Sequence, residues 1–141
     1  MFETLLLAVD VNDPAGAARP TQAALRMAAH EKAKIHLLNV VPDDGMAMVS
    51  ASFAPDHAST VAGEAQSALE AWAKTNIPAD MDAELHVTRG KVYHQILKVA
   101  KDLDVAAIVV GAHSPDLSDY LLGSNAARVA RHATQSVFVI R

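Results

Sequence analysis

Five short apolar runs, separated by stretches of helical periodicity, constrain this chain more than any other feature. They span residues 5–9, 35–41, 83–88, 105–110 and 137–140. All but the third are mainly apolar, β-branched in part and bounded by turn residues or charges, as expected of strands buried on both faces. Run 83–88 alternates instead. Leu85 and Val87 point one way and Glu84 and His86 the other, so it reads as a half-exposed strand at a sheet edge. Asp13 as N-cap and Pro14 at the first position start the first helix, in which Leu25, Ala28 and Ala29 recur at helical spacing. A second helix over 59–74 places Val61, Ala65, Ala68, Leu69 and Trp72 on one face. A third carries Tyr93, Ile96, Leu97 and Ala100, with Lys98 and Lys101 near its C-terminal end. The last, over 125–132, ends in Arg128, Arg131 and His132. The order β-α-β-α-β-α-β-α-β predicts an α/β fold: an open, mainly parallel sheet with helices on both faces.

Composition agrees. A chain of 141 residues is the size of one domain, taken here as 1–141. Apolar residues make up 51% but aromatics only 4%, so alanine, valine and leucine must fill the core. That suits helices packed closely on a parallel sheet better than a β-sandwich. A net charge of −4 without a basic stripe argues against a nucleic-acid partner. The absence of cysteine excludes disulfides, thiolate metal sites and thiol chemistry. The start, MFETLLLAVD, has no basic n-region, and its apolar run is too short for a signal peptide or a membrane span. A cytoplasmic protein without membrane contact is expected. The long irregular stretch 42–57, with Gly45, Met46, Met48, Phe53 and Pro55, reads as a lid, a binding loop or an insert.

The candidate site lies in 111–125, GAHSPDLSDYLLGSN. A strand ending in Gly111, a polar loop, then Gly123-Ser124 opening a helix is the layout of an anion cradle. Small residues let backbone N–H groups approach a phosphate, and the helix adds unpaired N–H groups and the positive end of its dipole. His113 and Ser114 are further donors, and Ser124 is expected to cap the helix with its hydroxyl. Asn125 falls in the first turn. Asp10 closes the first strand. With a strand order of 3-2-1-4-5, Asp10 and Gly111 flank the switch point of the sheet, where open α/β folds bind ligands. The Asp10 carboxylate could accept a ribose hydroxyl, hold magnesium through water, or simply cap its own turn. Val40 ends the second strand, where backbone groups could meet an adenine edge.

The other histidines, His30, His36, His57, His86, His94 and His132, are scattered over different elements, and no directly ligated metal is expected. There is no G-x-x-x-x-G-K-[ST], G-x-S-x-G or G-x-G-x-x-G, and no Ser/His/Asp arrangement, so no catalytic residue is assigned.

Residues FETLLLAVDVND at the start and 111–141 at the end resemble the universal stress protein family, in its small single-domain bacterial form and especially the F/G branch. The resemblance covers essentially the whole chain and is weakest over 42–57. It implies a five-stranded parallel sheet of order 3-2-1-4-5 in the adenine-nucleotide α-hydrolase-like fold. It also implies homodimers formed by pairing of last strands, or dimers of such dimers. Many members bind ATP through G-x-x-G-x9-G-[ST]. Here Ser114 stands at the second glycine and eight residues separate it from Gly123, while the closing Gly123-Ser124 is kept. The resemblance therefore implies ATP, with magnesium, held by Asp10, Val40, Gly111, His113, Ser114, Gly123, Ser124 and Asn125. It implies a stress-response regulator or sensor, with at most weak ATP hydrolysis. A dimeric interaction module without nucleotide is the alternative, and an adenylating enzyme of the same fold is disfavoured by the lack of a HIGH-like motif.

Overall fold

Strand β1 (Thr4–Val9) is the centre of the sheet, and Leu5, Leu6 and Leu7 within it are fully buried. Three consecutive buried leucines require cover on both faces, because successive side chains point to opposite sides of a strand. The computed structural model describes residues 1–42, 55–112 and 122–141, apart from the side chains of 55–59. After β1 come α1 (Pro14–Glu31), β2 (Lys34–Pro42), α2 (Pro55–Asn76) and β3 (Ala83–Gly90). Then follow α3 (Val92–Asp102), β4 (Ala107–Gly111), α4 (Ser124–His132) and β5 (Ser136–Ile140). The strands are all parallel, as the alternation predicts, and pair in the order β3-β2-β1-β4-β5 that the family resemblance implies.

The two faces of β1 belong to two cores. Leu5, Leu7 and Val9 join Ile35, Leu37 and Val109 beneath α1 and α2. Leu6 joins Leu38, Ile108 and Val110 beneath Ile96, Val99 and Ala100 of α3 and Ala126 and Val129 of α4. Leu85 and Val87 face the first core, as the alternation in β3 predicts, and Trp72 packs partly buried against it. Phe2 and Phe138 meet edge to face there, with centroids 5.2 Å apart.

Three details differ from the pattern in the sequence. The buried face of α1 is Ala17, Pro20, Thr21, Ala24 and Ala28, while Ala29 is exposed. Alanine has little hydropathy contrast, so periodicity marks this stripe weakly, yet its small side chains let α1 lie close on the sheet. Helix α2 begins at Pro55, ahead of 59. Strand β4 begins at Ala107 and not at 105, because the chain is still closing α3. Asp104 is left-handed at φ 51°, and the Val105 N–H donates to the Ala100 carbonyl at 3.1 Å.

Leu69 is the fully buried anchor of α2. Truncating a buried leucine costs about 2–5 kcal/mol in lost transfer energy and cavity. Leu69→Ala is therefore expected to lower the unfolding free energy by that amount in urea titration; a loss below about 1 kcal/mol would place α2 outside the core.

Candidate functional site

The crevice of this protein arises where neighbouring strands stop pairing. Strand β1 pairs with β4 only over Leu5–Leu7 and Ala107–Val109. Beside it, β2 follows β1 as far as Val9 opposite Asn39, and then Val40, Val41 and Pro42 continue with β3 alone. The carboxyl ends of β1, β2 and β4 thus splay around a cavity of about 290 Å³. That is near the lower bound, about 300 Å³, for small-molecule sites. Asp10, Val40, Gly111, Gly123, Ser124 and Asn125 all line it. The topology has brought together residues far apart in the chain.

On the β1 side, the Asp10 Oδ1 accepts the Asn12 N–H at 2.9 Å, and its carbonyl accepts the Asp13 N–H at 3.0 Å. The capping role is thus real, and Oδ2 has no partner among the described residues. Asp13 caps α1 by accepting the Gly16 N–H at 3.1 Å. A Cβ on Gly16 would collide with that carboxylate, so glycine is what permits the cap. The cap also places a negative charge on the positive end of the α1 dipole. An anion entering the crevice is repelled from α1.

Gly111 lies against α1. A Cβ there would come within 3.2 Å of the Pro20 ring and 3.5 Å of the Gly16 carbonyl oxygen. Pro20 sits inside α1 and has no N–H to give the carbonyl four residues back, which is that of Gly16. Both Gly16 and Pro20 line the cavity. Neither is marked by hydropathy, and the second proline within one helix is the sequence signal that points to them.

Helix α4 supplies the opposite charge character. Its N-cap is Gly123 (φ −58°, ψ 147°), with no side-chain cap, and its first turn carries no acid. Ser124 is the first helical residue and does not cap the helix, which corrects the expectation drawn from the Gly-Ser pair. The chain turns one residue earlier, where the Gly123 N–H donates to Ala112 O at 2.9 Å and its carbonyl accepts from Ala127 at 2.9 Å. The N–H groups of the first turn have no intrahelical acceptor, so they and the dipole favour an anion. Asn125 does more than sit in that turn. Its Oδ1 accepts the Tyr93 N–H at 3.2 Å, capping α3, whose own N-cap Lys91 makes no side-chain bond. Arg128, one turn on, stacks over the Tyr93 ring at 4.8 Å. The starts of α3 and α4 are thereby held side by side at the rim.

His113 and Ser114 lie outside the described residues, as does most of the stretch read as a lid, from 43 to 54. The scatter of histidines along the chain does not survive folding. His36 of β2 and His86 of β3 are brought into contact, with Nδ1 of the first 2.9 Å from Nε2 of the second, at the end of the sheet away from the crevice. No described helix is long and apolar enough to cross a membrane.

Comparison with known proteins agrees with this architecture. The family model described as Universal stress protein family matches residues 1–141. Universal stress protein G of Salmonella typhimurium is 32% identical over 148 residues, covering all of both chains. Among solved structures, UspA of Lactobacillus plantarum superposes with a TM-score of 0.77 at 23% identity, covering 99% of this chain and 98% of that one. A universal stress protein in complex with cAMP gives 0.64 at 22%, covering 99% and 97%. The Archaeoglobus fulgidus protein in complex with dAMP gives 0.68 at 19%, covering 100% of each. The sheet order and helix placement are those of the adenine-nucleotide α-hydrolase-like fold. By its full-length match and its identity to these relatives, the chain belongs to the universal stress protein family.

Proposed function

We propose that this protein binds ATP with magnesium in the crevice and acts as a nucleotide-dependent stress-response regulator in the cytoplasm. The observation that carries the reading is the uncapped, acid-free start of α4 facing Asp10 across the sheet switch point. Two neighbours of the same fold hold adenine nucleotides, cAMP in one and dAMP in the other, which supports an adenine ligand. Phosphates then lie against Gly123 on the N–H groups of Ser124 and Asn125, with His113 and Ser114 as further donors. The adenine packs on Val40, where β2 overhangs β1. The ribose lies between Gly111 and Asp10, with the Gly16 carbonyl as a further acceptor. Magnesium reaches Asp10 through the nucleotide, on the carboxylate oxygen that does not cap the turn.

The protein works by binding and not by turnover. Phosphoryl transfer uses cationic clamps and a group that positions the attacking nucleophile. Among the described residues lining the cavity the charged ones are Asp10 and Asp13, and each accepts a backbone N–H of its own turn. One domain of this kind pairs with a second copy through its last strand, the homodimer then being free to pair again. Two edges are available for that. β3 carries Glu84 and Arg89 and is the guarded one, whereas β5 presents Val137, Phe138, Val139 and Ile140 with a single serine. Sedimentation of the purified protein at micromolar concentration is expected to give a dimer or its multiple, and a monomer would remove this part of the reading.

Denaturing the purified protein and separating the released small molecules is expected to yield an adenine nucleotide, and adding Mg-ATP to stripped protein to raise the melting temperature. Neither occurring would leave the dimeric interaction module as the function. Gly123→Val is expected to abolish the melting shift while leaving the fold intact. The φ and ψ at Gly123 are open to any residue, so valine crowds the phosphate without straining the backbone. Asn125→Ala should lower stability by about 0.5–2 kcal/mol through the lost α3 cap, and weaken ATP as well by loosening the rim. Full ATP affinity in both variants would show that the phosphates lie elsewhere.

A further inference from the structure

The contact between His36 and His86 is unusual for what it lacks. Two imidazoles whose nitrogens face each other at 2.9 Å need one proton between them, so one ring nitrogen must offer a lone pair to the other. Burial, followed by the proximity of His86, pushes the His36 pKa down, so this ring is neutral at ordinary pH. A carboxylate completes the group. In the parallel register Glu84 stands directly opposite His36, and His86 follows two residues later on the same face of β3. Glu84 Oε2 is 3.8 Å from His36 Nδ1, and Glu84 Oε1 is 3.9 Å from His86 Nε2. All three side chains can present one donor atom within 4.8 Å of the others.

We propose that His36, Glu84 and His86 form a binding site for a divalent transition-metal cation of the zinc class, joining the edge strand β3 to β2. Zinc–ligand bonds of about 2.0–2.2 Å in a tetrahedron set donor atoms about 3.3–3.6 Å apart. The two imidazole nitrogens, 2.9 Å apart, must open by about half an ångström, and Glu84, which faces the two rings with different oxygens at 3.8 and 3.9 Å, must turn to present one of them, all three donor atoms starting within 4.8 Å of one another. The parts that must move are the accessible ones, since the His36 side chain is 8% exposed, that of His86 20% and that of Glu84 49%. Two imidazoles and one carboxylate suit zinc-class ions, whereas calcium and magnesium prefer oxygen alone. Three protein ligands leave the fourth position to water.

Lys34 is the competitor. Its ammonium lies 2.9 Å from Glu84 Oε2 and holds that carboxyl below its usual range, so the carboxylate is already ionised. The Lys34 side chain is itself exposed and can swing into water when a dication takes its place. The site is separate from the nucleotide crevice. His36 precedes Val40 by four residues of strand, about 13 Å, toward the opposite end of the sheet. The inference therefore stands whether or not ATP binds.

The test is calorimetric titration of the chelator-stripped, full-length protein with Zn2+ alone. One zinc per chain and a raised melting temperature are expected. His86→Gln should weaken binding at least about tenfold with an unchanged circular dichroism spectrum, because that ring is partly exposed. His94→Gln, on α3 and outside the group, should bind as the parent does. Lys34→Gln should bind more tightly, a gain that a purely structural histidine pair would not produce. X-ray absorption of the zinc-loaded protein should show two imidazoles among nitrogen and oxygen ligands at about 2.0–2.2 Å. No zinc uptake at equimolar concentrations, uptake that survives His86→Gln, or a spectrum with fewer than two imidazoles would each overturn the site.

Discussion

The burial of β1 on both faces and both edges is the constraint on which the rest of this structure depends. Leu5, Leu6 and Leu7 are fully buried, each contributing about 1.5–3 kcal/mol of transfer free energy. Their backbone groups pair with β2 on one side and β4 on the other. Once this strand is fixed at the centre, the chain builds the sheet outward from it first in one direction and then in the other. It goes through α1 to β2 and, after the β3 unit, through α3 to β4. Right-handed crossovers in opposite directions put α1 and α2 on one face and α3 and α4 on the other. The same reversal separates the carboxyl ends of β1, β2 and β4, so the crevice is a consequence of topology and not of any local motif.

Small residues then decide how that crevice is walled. Ala17, Ala24 and Ala28 bring α1 close to the sheet, and Gly111 accepts the Pro20 ring where any side chain would press on it. A valine or leucine at these positions would bury more apolar area, yet would fill the space between α1 and β4. The low aromatic content is the compositional trace of this trade, because bulky rings cannot sit between elements this close. The two helix starts at the rim have opposite electrostatics for equally local reasons. Asp13 neutralises α1, whereas Gly123 has no side chain with which to cap α4, leaving its dipole for a ligand.

Much of this was legible in the chain. Strand and helix types, the edge character of β3 and the Asp13-Pro14 helix start follow from periodicity and turn chemistry, which act over a few residues, whereas the facing of Asp10 and Gly111 rests on the strand order that the family resemblance implies. What was not legible depends on contacts between elements. Ser124 stands where a cap is expected from sequence, but whether Gly123 or Ser124 becomes the N-cap is set by the Gly123 bond to Ala112. Asn125 caps α3 and not its own helix because the two helix starts are adjacent only in space. The alanine stripe on α1 is silent for the same reason, having no hydropathy signal until a neighbouring strand lies against it, and the carbonyl of Gly16 is marked only by the proline four residues on. The pairing of His36 with His86 requires a known strand order and register, and a shift of β3 by one residue would have sent Glu84 and His86 to the opposite face.

Register also explains how one strand can serve two kinds of chemistry without interference. His36, Leu38 and Val40 alternate onto the same face of β2, so the histidine cluster, a core leucine and the crevice wall follow one another along one line. Leu38 is fully buried between the two polar regions and acts as an apolar insulator. Through it no hydrogen bond or charge pair can be relayed, and sites separated by more than about 7–10 Å without shared partners behave additively. Coupling between the two ends would have to move β2 as a rigid element, against pairing on both of its edges. The sheet that creates the crevice at one end therefore isolates it from the edge-strand cluster at the other.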